Sequence, residues 1–205
     1  GDVKGRPTLH QVADWLAYPA LLRYVHAHSD PWGSFFRKDD PAALDARLGG
    51  PAWSWTRRSE TLVPSLHAAC AGGKLDWFLL RSLWEYNLVA GEPAFYVHSG
   101  CHGISPNNAQ KHPYNHGGYG NRQGGEAMLF FGNGLALVGR AKVFYDEPRG
   151  FAETLGSGAP FGDAWARYFD LESQAQSWST VGGDIGRKRA YFWSVLGDWT
   201  LRLRR

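Results

Sequence analysis

The sequence predicts an α/β fold, a mostly parallel sheet flanked by helices, and three observations carry that expectation. Leu21 to Val25, Ala94 to Val97 and Leu135 to Val138 are short runs, apolar on both faces, as strands covered by helices on each side must be. Segments with helical spacing stand between them, which is the alternation that produces parallel pairing. A hydrophobic content of 43% with ten tryptophans in 205 residues supplies one sizeable core, so residues 1–205 are read as a single domain.

The elements follow in order. Thr8 to Tyr18 places Leu9, Val12, Ala13, Leu16 and Ala17 at helical spacing, and Pro19 ends the helix. Leu21 to Val25 reads as a buried strand that runs on toward His28 and Ser29. Residues 30–60 are rich in Pro, Gly and Trp, which suggests a structured excursion with a short helix around Pro41 to Leu48. Lys74 to Asn87 is read as one amphipathic helix, with Leu75, Phe78, Leu79, Leu83 and Tyr86 on one side. The turn GEP introduces the strand Ala94 to Val97.

Gly103 to Gly125 is a long loop of Pro, Asn, His and Gly, and loops of that length inside compact domains are commonly functional. A helix from Glu126 to Phe131 leads through GNG into Leu135 to Val138, a strand ended by Gly139. Phe151 to Leu155 and Phe161 to Leu171 are helical, and the chain closes with Arg189 to Val195 and LGDWTLRLRR.

Composition excludes several classes of function. The formal charge is only +3, and its excess sits in Arg187, Lys188, Arg189, Arg202, Arg204 and Arg205 rather than in a basic stripe interleaved with aromatics. Nucleic-acid binding is therefore not expected. Two cysteines, Cys70 and Cys101, build no disulfide framework. No apolar run reaches membrane-spanning length and no secretory signal is present. Because the chain begins GDVKGRP and enters a buried strand within about twenty residues, an upstream part is expected to precede Gly1.

The chemistry gathers at two strand ends, LLRYVHAHS and AFYVHSGCHG, which deliver His28 and Cys101 into turns flanked by serine or glycine. Reactions in open parallel sheets collect at the carboxyl ends of adjacent strands. A thiol attacks only as thiolate, and an imidazole across a strand gap of roughly 5 Å can take its proton. The small residues Ser29 and Gly100 leave room for a substrate backbone, and the N–H groups of Ser29 and Cys101 would form an oxyanion hole. Cys70, within SLHAACAGG, reads instead as a packed core thiol.

A zinc site is the competing chemistry, since His26, His28, His98, Cys101 and His102 include an H-x-H and a C-H pair. Strand alternation argues against convergence, because His26 and His28 share one face while His98 and Cys101 do not. His26 and His98 are read as strand residues satisfied by hydrogen bonds, and His112 and His116 as solvated loop residues.

Four segments, in the same order, resemble the gingipain-like cysteine peptidases of the caspase-like clan. TLHQVADWLAYPALLRYVHAHSDPW is similar to that family's helix, strand and GHG histidine turn, with Ala27, His28 and Ser29 on the turn and Trp32 on a downstream aromatic. AFYVHSGC resembles its nucleophile strand, GGEAMLFFGNGLALVGRAK the helix and strand after it, and SVLGDWTLRL its LGDPTLRL tail. The resemblance spans most of the chain except residues 33–90, where a Trp-rich insertion separates His from Cys. It departs at Ser29, where the family has glycine, and at Trp199, where the family has proline. A positive φ at Ser29 would cost roughly 1 to 3 kcal/mol.

The resemblance implies a caspase-like sheet whose first strands lie upstream of Gly1, in a fragment of the same precursor. It implies a cysteine endopeptidase with Cys101 as nucleophile and His28 as general base, needing no cofactor or metal, acting on a polypeptide at a secreted or cell-surface location. Relatives often cleave after Arg or Lys, which requires an acid at the pocket floor; Asp30, Glu126, Asp146 and Glu147 are the candidates. Trp32, Gly100, His102, Arg140, Tyr114 and Tyr119 are candidate substrate contacts. Two other readings stay open, a catalytically inactive interaction module that uses the aromatic insertion, and a zinc-dependent hydrolase.

Overall fold

The computed structural model describes residues 6–30, 33–49, 59–90, 92–104, 125, 127–141, 147–174 and 190–203. Helix α1 (Leu9–Ala17) forms where Leu9, Val12, Ala13 and Leu16 share one buried face. At its start the Thr8 N–H donates to the Gln11 side chain at 3.0 Å, which satisfies an otherwise orphan donor. Strand β1 (Leu22–Val25) follows.

The chain then departs from the expected single strand end. β1 stops at Val25, and His28 opens a separate strand, β2 (His28–Asp30), paired antiparallel with β3 (Gly33–Phe35). After β3, Asp40 caps helix α2 (Pro41–Arg47) by accepting the Ala42 N–H at 2.9 Å, with Pro41 in the first turn where it lacks no needed donor. Helix α3 (Ser59–Gly72) was not legible in the sequence. It carries Pro64 inside it and no sharp apolar stripe, so tertiary burial of Leu62, Leu66, Ala69 and Cys70 holds it.

The helix expected from Lys74 begins later. Lys74–Asp76 is strand β4, which completes the small sheet in the order β2-β3-β4, and helix α4 (Trp77–Glu85) starts only after Asp76 accepts the Leu79 N–H at 2.8 Å. Strand β5 (Ala94–His98) is buried along its whole length. A π-helical segment, Ala127–Phe131, then leads into β6 (Gly134–Arg140), which runs through Gly139 instead of ending there. Helices α5 (Phe151–Gly156) and α6 (Phe161–Ser173) precede β7 (Trp193–Gly197).

The main sheet has the order β1-β5-β6-β7, with β1, β5 and β6 parallel and β7 antiparallel to β6. It is a mixed, mostly parallel sheet with helices on both faces. Tyr96 and Leu137 face a core built with α1, α3 and α4, while Phe95, Val97, Ala136 and Val138 face α5 and α6. Residues 33–90 supply Leu44, Leu66, Leu75, Trp77, Leu80 and Leu83 to the first core, so the segment read as an insertion is part of the packing. Among the described residues no helix is long and apolar enough to cross a membrane.

Arg23 ties the layers together. Its guanidinium is fully buried and donates to the Glu92 carbonyl at 2.9 Å, the Tyr18 carbonyl at 3.1 Å and the Tyr96 hydroxyl at 2.9 Å. Tyr96 in turn donates to the Gly132 carbonyl at 3.0 Å. The two terminal nitrogens make these bonds, while Nε is buried without a hydrogen-bond partner, so the compensation for burying this cation comes from one end of the guanidinium.

Candidate active site

Val25 and His98 are register partners at the ends of β1 and β5, so both chains leave the sheet side by side at its carboxyl edge. Beyond Val25 come His26, Ala27 and the small sheet that holds His28. Beyond His98 come Ser99 to Ile104, which hold Cys101. The two exits are joined directly, because the Ser29 Oγ–H donates to the Cys101 carbonyl oxygen in a short hydrogen bond.

Cys101 occupies a tight turn. The Gly103 N–H donates to the Gly100 carbonyl at 3.3 Å, and His102 sits at φ 57°, in the left-handed region. A turn closed in this way with positive φ at its third residue ordinarily takes glycine or asparagine there. Cys101 therefore stands at the corner before a strained residue, with only 8% of its surface exposed. Gly100 has no room for a side chain: a Cβ there would lie 2.3 Å from Ser29 Oγ, 2.4 Å from the Ala27 carbonyl oxygen and 2.6 Å from His98 Cε1.

Ser29 does not adopt the glycine-like conformation that the family resemblance led one to expect. It lies in the middle of β2, and the positive-φ residues other than glycine among those described are Asn87, His102 and Asn133. Alternation along β2 turns Ser29 inward and His28 to the exposed side, where His28 pairs in register with Phe35.

His26, expected within a strand, lies past the end of β1. Its Nδ1 is 2.7 Å from Ser99 Oγ and 3.4 Å from Glu147 Oε1. Because the Ser99 hydroxyl also donates to the Val25 carbonyl at 3.2 Å, Nδ1 carries the proton and Nε2 is the basic nitrogen. Burial raises the Glu147 carboxyl above its ordinary pKa. No group of three or more His, Cys, Asp or Glu side chains suited to hold a metal ion exists among the described residues.

The other predicted residues divide plainly. Asp30 is ion-paired with Lys74 at 2.6 Å and accepts the Gly33 N–H at 2.9 Å, so it is already engaged. Arg140, read as a substrate contact, is instead a core residue, 1% exposed, with its guanidinium 4.9 Å from the centre of the Trp193 ring. Burial lowers its pKa to about 10, and the charge of a Cys101 thiolate opposes that shift. Cys70 is a core thiol as expected, pushed up to about 11 by burial and by Asp39, Asp45 and Asp40. Trp32, Tyr114, Tyr119, His112, His116, Glu126 and Asp146 lie outside the described residues. Trp199, at the proline position of the tail, rests against Trp165 with ring centres 5.8 Å apart.

Beside the β1 exit lies a cavity of about 350 Å³ whose walls include Val12, Trp15, Tyr24, Val25 and Phe36, with His26 at one side. Its acid, Asp14, is ion-paired with Arg47. A cleft of this size with apolar walls can take a large side chain. Compared with protein-family models, curated proteins and solved structures, the chain matches none.

Proposed function

We propose that this protein is a cysteine endopeptidase of caspase-like fold in which Cys101 is the nucleophile and His28 the general base. The observation that supports this reading is the hydrogen bond from Ser29 to the Cys101 carbonyl, which ties the segment carrying His28 to the turn carrying the thiol at the carboxyl edge of parallel strands. In the reaction, Cys101 Sγ loses its proton to the imidazole and attacks the scissile carbonyl carbon. The tetrahedral oxyanion is met by the N–H groups of Ser29 and Cys101. The imidazolium returns the proton to the leaving amine, which departs and leaves a thioester. Water, deprotonated by the same imidazole, attacks the thioester, and the acid product leaves as Cys101 regains its proton.

A second reading of the base rests on His26. A base is usually oriented by a third group, and His26 has Glu147 and Ser99 at Nδ1 with Nε2 turned away from both. His28 faces the exposed side of β2, in register with Phe35. The apolar cavity adjoins His26 and Ala27, and Asp30 is already engaged by Lys74, which leaves it poorly suited to receive a basic side chain. β1 lies at the edge of the main sheet, where a further strand could pair with its open backbone.

A positional-scanning peptide library tests all of this together, with wild type, C101A, H28A and H26A. Turnover is expected from wild type and lost in C101A and in the variant of the true base. Undiminished hydrolysis by C101A sinks the proposal, and a thiol-directed alkylator that labels Cys70 in preference to Cys101 does the same. Absence of turnover in the wild type, with the chain folded, favours the interaction module.

A further inference from the structure

We propose that His98 is a positioning residue for the Cys101 turn, a neutral imidazole that moulds the turn from below and locks it to the sheet bearing His28. This rests on Cys101 as the nucleophile for its catalytic consequence, while the lock itself rests on geometry alone.

His98 ends β5 with no exposed surface. A histidine buried to that degree beside a reactive turn has no place in the dyad chemistry, yet every side of its ring is used. Nδ1 accepts the Gly100 N–H at 3.2 Å. That assigns the ring proton to Nε2, which faces Ser34 Oγ at 3.4 Å. Trp77, the first residue of α4, packs edge-on with ring centres 5.7 Å apart. Gly103 lies against the imidazole, so close that a Cβ there would be 2.1 Å from Nδ1.

These contacts close a circuit. Ser34 of β3 is the register partner of Ser29 of β2, and Ser29 donates to the Cys101 carbonyl. Cys101 follows Gly100, whose N–H returns to His98. The nucleophile turn is thus held from one side by Ser29 and from below by His98, and both holds converge on the β2-β3 pair. The consequence is mechanical. The strained left-handed His102 persists because its surroundings over-determine it, and the imidazole under Gly100 and Gly103 is the rigid part of those surroundings. Burial keeps the ring neutral, with its pKa lowered to about 4, so Nδ1 stays an acceptor across the neutral range.

The test uses H98F, which keeps a planar ring but offers no acceptor, and H98N, whose side-chain oxygen can stand where Nδ1 stands. Alkylation by iodoacetamide is followed at Cys101 and Cys70 separately by peptide mass spectrometry, with Cys70 on α3 as the internal reference for general loosening. H98F is expected to raise Cys101 alkylation about tenfold with Cys70 unchanged, and H98N to restore most of the protection. In a peptide assay the same pair should lower and then recover kcat, with KM little altered. An unchanged Cys101 rate in H98F overturns the lock whether or not the peptidase reading stands. An equal rise at both thiols overturns it too, because it reduces His98 to ordinary core packing. S34A, a milder change, should give a smaller rise confined to Cys101; the reverse pattern, with Cys70 exposed first, also counts against it. Loss of hydrolysis in C101A alongside intact protection in H98F would retain the peptidase and discard the lock.

Discussion

The Ser29 hydroxyl donates to the carbonyl oxygen of Cys101, joining two strand exits that lie 72 residues apart in sequence. Both groups are buried, so removing the donor leaves an acceptor unsatisfied, a change that costs about 1 to 3 kcal/mol. S29A is therefore expected to lower stability by roughly that amount in urea unfolding. On the peptidase proposal it should also reduce kcat more than it raises KM. S29G, which restores the residue found in the resembled family, is expected to be no better, because Ser29 works here through its side chain and not through a positive φ. A more active S29G would show that the backbone freedom matters after all.

Arg23 is the member of the core whose loss should be felt most. Its guanidinium serves the Glu92 and Tyr18 carbonyls and the Tyr96 hydroxyl from a fully buried position. R23M keeps much of the volume but strands those neutral acceptors, each at about 1 to 3 kcal/mol, so a loss of about 3 kcal/mol is expected. Y96F removes one partner and should cost less, about 1 to 2 kcal/mol. Chemical denaturation of the two variants checks the order, and a Y96F defect larger than that of R23M would contradict it.

His98 makes stability depend on pH in a defined direction. Its folded pKa is lowered to about 4 from 6.5, chiefly by burial. Between those values the unfolded chain binds a proton that the folded chain does not, so stability is complete above pH 6.5 and declines as pH falls toward 4. The shift corresponds to roughly 3 kcal/mol. Arg140 and His26 add positive charge near the ring and act in the same direction. Glu147 and Glu172, with raised pKa values, oppose the trend. Comparing urea midpoints of wild type and H98N at pH 7 and pH 4.5 isolates the histidine, and the difference between them should widen in favour of H98N at the acid end. Parallel curves would show that His98 does not titrate as described.

Much of the architecture was legible because it depends on local periodicity. The apolar spacing in α1, the two-sided apolar runs of β5 and β6, and the stripe of α6 (Phe161–Ser173) each state their element without help from neighbours. β1 forms where expected but is not the buried strand its sequence suggests, since Leu22 and Tyr24 are exposed and Arg23 is the residue turned into the core. Other elements had no local signal. β4 hides within what reads as the first turn of a helix, and only the Asp76 cap tells where the helix begins. α3 contains a proline and lacks a clean stripe, so its existence depends on what it packs against.

The candidate site divides in the same way. That Cys101 and His28 follow apolar strands, and that Ser29 and Gly100 are small, is written in the chain itself. So is the difference between Cys101 in its turn and Cys70 among small apolar residues. Tertiary structure decided the rest. It placed His28 and Ser29 in a second sheet and withdrew Arg140 into the core over Trp193. It turned His26 toward Glu147 and set His98 beneath the Cys101 turn. The physical reason is one of range. Strand and helix periodicity is set by neighbours within a few residues, whereas the partner of a buried polar group is chosen by whichever distant segment the packing brings within hydrogen-bond reach.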